Sequence, residues 1–332
     1  MQAGAGLTQA VVAIVALATA ASAAAQGLVL RYGQAPSAHR SIYSLPVALA
    51  QREGLFKREG LEFRIVIPLA GGADRTIAEL HDGGFDLAHV ATPFLVRAAL
   101  AGSDAVAVAA EFNDPIYSLV AQPDIARIAE LRGKVVGLAD PGGSITYSMR
   151  KLLALHGLGE RDIQVKTIEG TPGRLGCLRR GECAAVPLGQ PQDLLAQSQG
   201  YRLLGMSNDA VPAYLYTVTA VRRSWAAAHE DAVVRYVRAL AGAFRVIRDP
   251  QRRGTVVQAI VELTGVPPAI AESVLALYAD SGRKVLPQRG EIDLQGIAQV
   301  IAFMGEAGLL KAPLPEPERF VELRYQRLAG IR

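Results

Sequence analysis

From residue 28 onward, short apolar runs alternate with stretches in which apolar residues recur three and four positions apart. The first pattern marks β-strands and the second amphipathic helices. Strands are expected at residues 28–33, 61–69, 86–91 and 106–112. Between them lie a helix carrying Leu45, Ala48, Leu49 and Leu55, and helices at 76–81 and 94–101. Gly54, Gly83 and Gly84 stand where helices stop. A second, smaller set follows, with strands at 117–121, 134–139, 163–168, 184–188 and 201–206 and helices at 145–156, 173–180 and 193–197. After one more β-like run at 214–221, the remainder reads as helices at 231–247, 256–263, 269–278 and 294–307. Such alternation implies mostly parallel sheets covered on both faces. The helical tail must pack on one of them, because its apolar faces cannot stay exposed.

Length and composition sharpen this picture. A chain of 332 residues suits two α/β lobes better than one core. The net charge of +4 is small and spread along the chain, which gives no reason to expect nucleic acid or a membrane surface as a partner. The apolar run at residues 11–18, followed by small residues from Ala21 to Ala25, reads as a signal peptide cleaved near Ala25. Residues 1–10 hold no Lys or Arg, so the usual basic start is missing and an Ala-rich leader is the alternative. No Cys follows the run to carry a lipid anchor. Cys177 and Cys183 are the only cysteines. They are open to pairing in an oxidising compartment, although two buried small hydrophobes is the slightly favoured reading. Neither they nor the scattered histidines have zinc-site spacing, and no metal or cofactor is expected.

Each strand is followed by residues that favour a helix start. Ser44 precedes Pro46; Gly71, Gly72 and Asp74 open the next helix; Thr92-Pro93, Thr171-Pro172 and Gln190-Pro191 read as a cap followed by Pro; Gly142, Gly143 and Ser144 open the long helix of the second set. In parallel sheets these starts lie at the carboxyl ends of strands, where ligands bind. Each offers unpaired backbone N–H groups and the positive end of a dipole, worth about 0.3–1 kcal/mol at a surface. Gly72 and Gly143 would let a ligand approach the backbone. Nearby, His39 is either a ligand contact or a surface residue, and Arg40 either pairs with an anion or is simply solvated. Tyr43 and Tyr117 either stack on a planar solute or pack in the core. Asn113-Asp114-Pro115 reads as a turn, and as a possible hinge.

The segments PVALAQREGLF (46–56), KREGLEFRIVI (57–67), AGGADRTIAELHDGGFDLAHVATP (70–93), PIYSLVAQPDI (115–125) and ELRGKVVGLADPGGS (130–144) carry a resemblance. The sequence resembles the nitrate/sulfonate/taurine-type solute-binding proteins of ABC importers, a superfamily that includes binders of thiamine precursors. The resemblance implies a two-lobed, type II periplasmic-binding-protein fold, closing like a flytrap, with two crossover strands and a helical tail on lobe 1. Lobe 1 would take residues 26–114 and 211–332, and lobe 2 residues 115–210. It implies a periplasmic monomer that captures a small anionic or heterocyclic solute and delivers it to an inner-membrane permease. Carried over by motif, the contacts would be Ser37, His39, Arg40, Tyr43, Gly72, Ala73, Thr92, Pro93, Asn113, Tyr117, Gly143, Ser144, Thr146 and Gln190. The loop APSAHRSIYSL (35–45) departs from the more apolar stretch common in the family. The lone Trp225 lies in the tail, so a Trp-walled pocket is not expected.

The alternatives are an enzyme on the same fold and a sensor that presents its ligand to a receptor. The chain lacks G-x-S-x-G, P-loop and H-E-x-x-H patterns, and has no counterpart of the cysteine-rich motif of the thiamine-precursor enzyme. A binder rather than an enzyme is therefore expected. Import and sensing are not separable from residues alone.

Overall fold

The computed structural model describes residues 28–68, 71–114, 116–211, 214–279 and 285–331, and the expected signal peptide lies outside them. The first set of elements is β1 (Leu28–Gly33), α1 (Pro36–His39), α2 (Leu45–Arg52), α3 (Leu55–Arg58), β2 (Leu61–Val66), α4 (Ala73–His81), β3 (Leu87–Ala91), α5 (Thr92–Leu100) and β4 (Ala105–Phe112). The second is β5 (Tyr117–Ala121), β6 (Val135–Leu138), α6 (Ser144–Leu155), β7 (Gln164–Thr167), α7 (Thr171–Arg179), β8 (Ala185–Gly189), α8 (Gln192–Ser198) and β9 (Arg202–Met206). The chain ends with β10 (Thr217–Arg222), α9 (Arg223–Ala228), α10 (Glu230–Arg248), α11 (Arg253–Thr264), α12 (Pro268–Ala279), α13 (Leu294–Glu306) and α14 (Arg324–Leu328).

These strands build two five-stranded sheets, ordered β2-β1-β3-β10-β4 and β7-β6-β8-β5-β9. The chain passes from the first to the second after β4 and returns after β9. The expectation of mostly parallel sheets holds for β1 with β2 and β3, and for β6 with β7 and β8. It fails at the crossings: β10 runs antiparallel to β3 and β4, and β5 antiparallel to β8 and β9. The reason is topological. A chain that leaves one sheet at the carboxyl ends of its strands enters the other sheet from the side facing it, so the entering strand runs the opposite way. Both β4 and β7 end their sheets, but β4, covered by the tail, is buried at every residue and β7 is exposed at every residue. The sequence distinguishes them, AVAVAAEF against QVKT, as expected for a strand covered on both faces and one left exposed.

The tail packs on the first sheet. Along α10, Val233, Val237, Leu240 and Phe244 recur at helical spacing and are all buried, each worth about 1.5–3 kcal/mol. Glu230 and Asp231 in its first turn and Arg245 and Arg248 in its last complement the helix dipole. Its Tyr236 joins Tyr32, Phe56 and Phe63 in an aromatic cluster, the last two stacked at 3.9 Å between centroids. Near the carboxyl end, Gln326 Nε2 donates to the carbonyls of Val108 (3.1 Å) and Gly290 (3.0 Å), closing the tail onto β4.

Two local expectations are corrected. Cys177 and Cys183 are joined in a disulfide; α7 ends at Arg179, and Gly181, at φ 70°, turns the chain back so that the two Cα atoms lie 5.4 Å apart. The cap-then-Pro starts are shifted by a residue. Ala91 rather than Thr92 caps α5, Gly170 rather than Thr171 caps α7, and Pro191 caps α8. Ser44 makes no cap bond either. The Thr92 hydroxyl donates instead to the carbonyl of Tyr216 (3.2 Å), joining the end of β3 to the start of β10, and the Ser44 hydroxyl to the carbonyl of Ala38 (2.9 Å), within the loop after β1.

Candidate functional site

The carboxyl ends of the parallel strands of both sheets converge on one cavity of about 570 Å³. From the first sheet come the loops after β1 (Ala35 to Ala38), before α4 (Gly71 to Asp74) and at the end of β3 (His89, Ala91). From the second come the ends of β6 (Ala139, Asp140), β7 (Glu169 to Arg174) and β8 (Gly189, Gln190). The two crossing strands contribute their first residues, Tyr117 and Thr217. The lips nearly meet. A Cβ on Gly72 would lie 3.8 Å from the Glu169 carboxylate, and one on Gly170 would lie 3.4 Å from Ser37 Cβ. Gly170, at φ +67°, holds a backbone conformation that favours glycine.

Arg174 dominates the electrostatics. It is 2% exposed. Its guanidinium donates to the carbonyls of Pro187 (2.7 Å) and Ile168 (3.2 Å) and to Thr171 Oγ1 (3.2 Å). No carboxylate pairs with it among the described residues, and it is the only Arg or Lys on the cavity wall. Burial pushes its pKa down, opposed by the electrostatic influence of Tyr117, Tyr216 and Tyr43. It also sits one turn inside the start of α7, where the helix dipole disfavours a cation. A buried charge left unpaired costs several kcal/mol. Desolvation and the dipole both oppose the bare cation, and an anion at the helix start relieves both.

Beside it lie three buried tyrosines. Tyr43 stacks on Tyr117 at 5.8 Å between centroids, and both meet Tyr216 edge-on. Arg174 Cζ lies 5.9 Å from the centre of the Tyr117 ring. Burial raises the Tyr43 and Tyr216 phenols well above their ordinary range, so both stay protonated; Tyr43 donates to the Ile116 carbonyl (3.2 Å), and Tyr216 pairs with the Tyr117 hydroxyl (3.3 Å). Deeper in the first sheet, the fully buried Glu111 accepts from Tyr32 (2.7 Å) and Thr219 (2.6 Å) and bonds His89 Nδ1 (2.5 Å). His89 thus reaches the cavity with its ring orientation fixed by a carboxylate. Among the described residues, no group of three or more His, Cys, Asp or Glu is placed to hold a metal ion.

Of the residues singled out in the sequence, Ser37, Tyr43, Gly72, Ala73, Tyr117 and Gln190 line the cavity. Gln190 is fully buried, accepting from Tyr278 (2.7 Å) and donating to Asp193 (2.9 Å). His39, Arg40, Thr92, Pro93, Gly143, Ser144 and Thr146 lie off its wall. Arg40 is exposed, while His39 approaches Gln34 Oε1 at 3.4 Å and has its pKa lowered by burial and then by Arg40. Asn113 lines a second cavity of about 620 Å³ with Arg248 and Tyr278. The sequence reading passed over Arg174, His89, Phe94, Glu169, Tyr216 and Thr217. For Arg174 a signal existed. Gly170-Thr171-Pro172-Gly173 after a strand marks a helix start, and a cation one turn later works against that helix unless an anion is present.

Two sheets, two crossings and a cleft at converging strand ends define a ligand-binding protein fold of the type II periplasmic kind. The chain belongs to the NMT1/THI5-like family, whose model matches residues 41–252. A search of curated proteins returns no match. Solved structures share the fold. The periplasmic nitrate-binding protein NrtA from Synechocystis PCC 6803 superposes with a TM-score of 0.76 at 14% identity, covering 92% of this chain and 89% of that one. The alkanesulfonate-binding protein SsuA from Xanthomonas axonopodis pv. citri, bound to MOPS, gives 0.69 at 20% identity, covering 88% and 97%. The desulfurization enzyme DSZB gives 0.65 at 15% identity, covering 91% and 99%.

Proposed function

We propose that this chain is the solute-binding component of an ABC importer, exported to the periplasm after cleavage near Ala25. Residues 26–114 with 211–332 act as one lobe and 115–210 as the other. The observation that carries the reading is Arg174, a buried guanidinium without a carboxylate partner among the described residues, facing a cavity between the two sheets. An anion supplied by the solute completes its coordination. The solute is an organic anion, held by Arg174 and backbone N–H groups at the start of α7, with Tyr43, Tyr117, Gly72, Ala73, Ser37 and Gln190 around it. Family membership and the nitrate- and alkanesulfonate-binding structures of the same fold support this role.

Binding works by hinge closure. The lobes interconvert between open and closed arrangements, and the solute favours the one in which both touch it. In the closed arrangement the lips meet at Gly72 and Glu169, and α6 meets α13 through Tyr147 stacked on Phe303 (4.4 Å) and Lys151 paired with Glu306 (2.7 Å). The closed form then presents both lobes to the permease as a monomer.

A thermal-shift screen of small anions and neutral heterocycles on the mature protein tests this, because a ligand that binds only the native state raises Tm. A raised Tm with the solute recovered unchanged by NMR supports a carrier. The likeness to DSZB makes an enzyme the second reading. Consumption of the bound solute would establish that reading and end the first.

A further inference from the structure

The importer reading leaves the body of the solute open, and the cavity restricts it. Its volume of about 570 Å³ is in the range of sites for drug-sized organic molecules, ~300–1,000 Å³. A small oxyanion, roughly the size of two waters or ~60 Å³, would fill only about a tenth of it. The wall at the Arg174 end is aromatic. Tyr43, Tyr117 and Tyr216 form one packed group, and the half-buried Phe94 and Ile145 also face the space.

The polar groups at that end are donors in search of an acceptor. A guanidinium carries five N–H groups, and three contacts of Arg174 are accounted for by Pro187, Ile168 and Thr171. The Tyr117 and Tyr216 hydroxyls lie 3.3 Å apart, so one donates to the other and one proton is left over. Thr217 Oγ1, on a residue only 2% exposed, has no hydrogen-bond partner. Elsewhere on the wall the charge is negative: Asp74, held 2.6 Å from Arg97, Asp140, 4.0 Å from the same arginine, and the exposed Glu169. One buried cation with several donors fits one acid group. A second acid group on the same solute would meet carboxylates.

We infer that the solute is a flat aromatic mono-acid, its single carboxylate or sulfonate on Arg174, Thr217 and the phenols, and its ring against the tyrosine group. This rests on the solute-binding reading and narrows it. Ring burial with aromatic contact makes benzenesulfonate or benzoate bind roughly 100-fold more tightly than ethanesulfonate or nitrate.

The experiment is calorimetric titration of the mature protein with benzenesulfonate, benzoate, ethanesulfonate, nitrate and benzene-1,3-disulfonate. The expected order places one of the two aromatic mono-acids first, their ratio deciding between sulfonate and carboxylate, and puts the disulfonate at least tenfold behind benzenesulfonate. The half-buried Phe94 provides a second measurement: Phe94→Leu should weaken benzenesulfonate several-fold more than it weakens ethanesulfonate. Equal or tighter binding of ethanesulfonate or nitrate overturns the aromatic body and leaves the carrier reading standing. A disulfonate as tight as the monosulfonate overturns the single-charge argument. If none of the five binds while a neutral heterocycle raises Tm, the inference falls and the carrier survives. If nothing binds in either experiment, both fall.

Discussion

Replacing Arg174 removes the only Arg or Lys on the cavity wall among the described residues. Arg174→Met keeps a long, flexible, apolar stem and removes the charge. An anionic solute loses the charge-assisted bonds of the guanidinium, about 1.5–3 kcal/mol each. Two such bonds place the loss at about 3–6 kcal/mol, or roughly 10²–10⁴-fold in Kd. The free protein responds differently. It loses the bonds to Pro187, Ile168 and Thr171, but it is also relieved of a buried cation with no carboxylate partner, itself several kcal/mol. The two effects oppose each other, so Tm of the ligand-free protein should move by only a few degrees. Arg174→Lys should be nearly as damaging to binding, because an ammonium cannot reproduce the planar fork that spans two carbonyls and an acid group. The assay is calorimetric titration of both variants with the best anion from the screen, alongside scanning calorimetry of the free proteins. A Kd unchanged in Arg174→Met would refute the assignment. Loss of folding in both variants would show that this arginine is a structural strut.

Three further expectations follow from the packing. Breaking the disulfide with Cys177→Ser and Cys183→Ser should cost about 2 kcal/mol, given the six-residue separation, and lower Tm by several degrees; reductant should produce the same fall in the wild type, and no fall in either would contradict the pairing. Gly33→Ala drives a Cβ into the buried Phe85 ring and should destabilise by about 1–3 kcal/mol, with Phe85→Leu restoring part of the loss; an unchanged Tm would disprove the close approach. Burial raises the pKa of Asp193, against the bonds it accepts from Ser118, Gln190 and the Leu194 N–H. The folded state therefore holds its proton to higher pH than the unfolded chain, whose Asp titrates near ~3.9. The resulting stability is present below that pH and is lost as pH rises through the folded pKa. Asp193→Asn should remove that fall in Tm as pH rises above about 4, and a variant with the wild-type slope would refute it.

What the sequence revealed depended on whether the signal was local. Strand and helix positions were legible nearly to the residue, as at Tyr117–Ala121 and Leu294–Glu306, because hydrophobic periodicity and glycine stops act over a few neighbours. The direction of β5 and β10 was not legible, since it follows from which sheet the chain enters and not from the strand's own residues. The site divided along the same line. Helix starts pointed to the correct ends of the strands, and the loops around Gly72, Tyr117 and Gln190 line the cavity. They also pointed to Gly143, Ser144 and Thr146, which lie off its wall although Ile145 beside them is on it. Which of four consecutive residues faces a cavity is set by how a helix is rotated in its packing, and that is decided by contacts distant in sequence. Arg40 and Arg174 show the difference most sharply. Both precede or begin a helix, and both are cations near a strand end. One is exposed in a loop and the other is enclosed by the carbonyls of Pro187 and Ile168 and the ring of Tyr117. Burial is what makes a single positive charge count: an exposed arginine exchanges an anion for water at little gain, whereas one already stripped of water and set against a helix dipole has most of its cost incurred before the solute arrives.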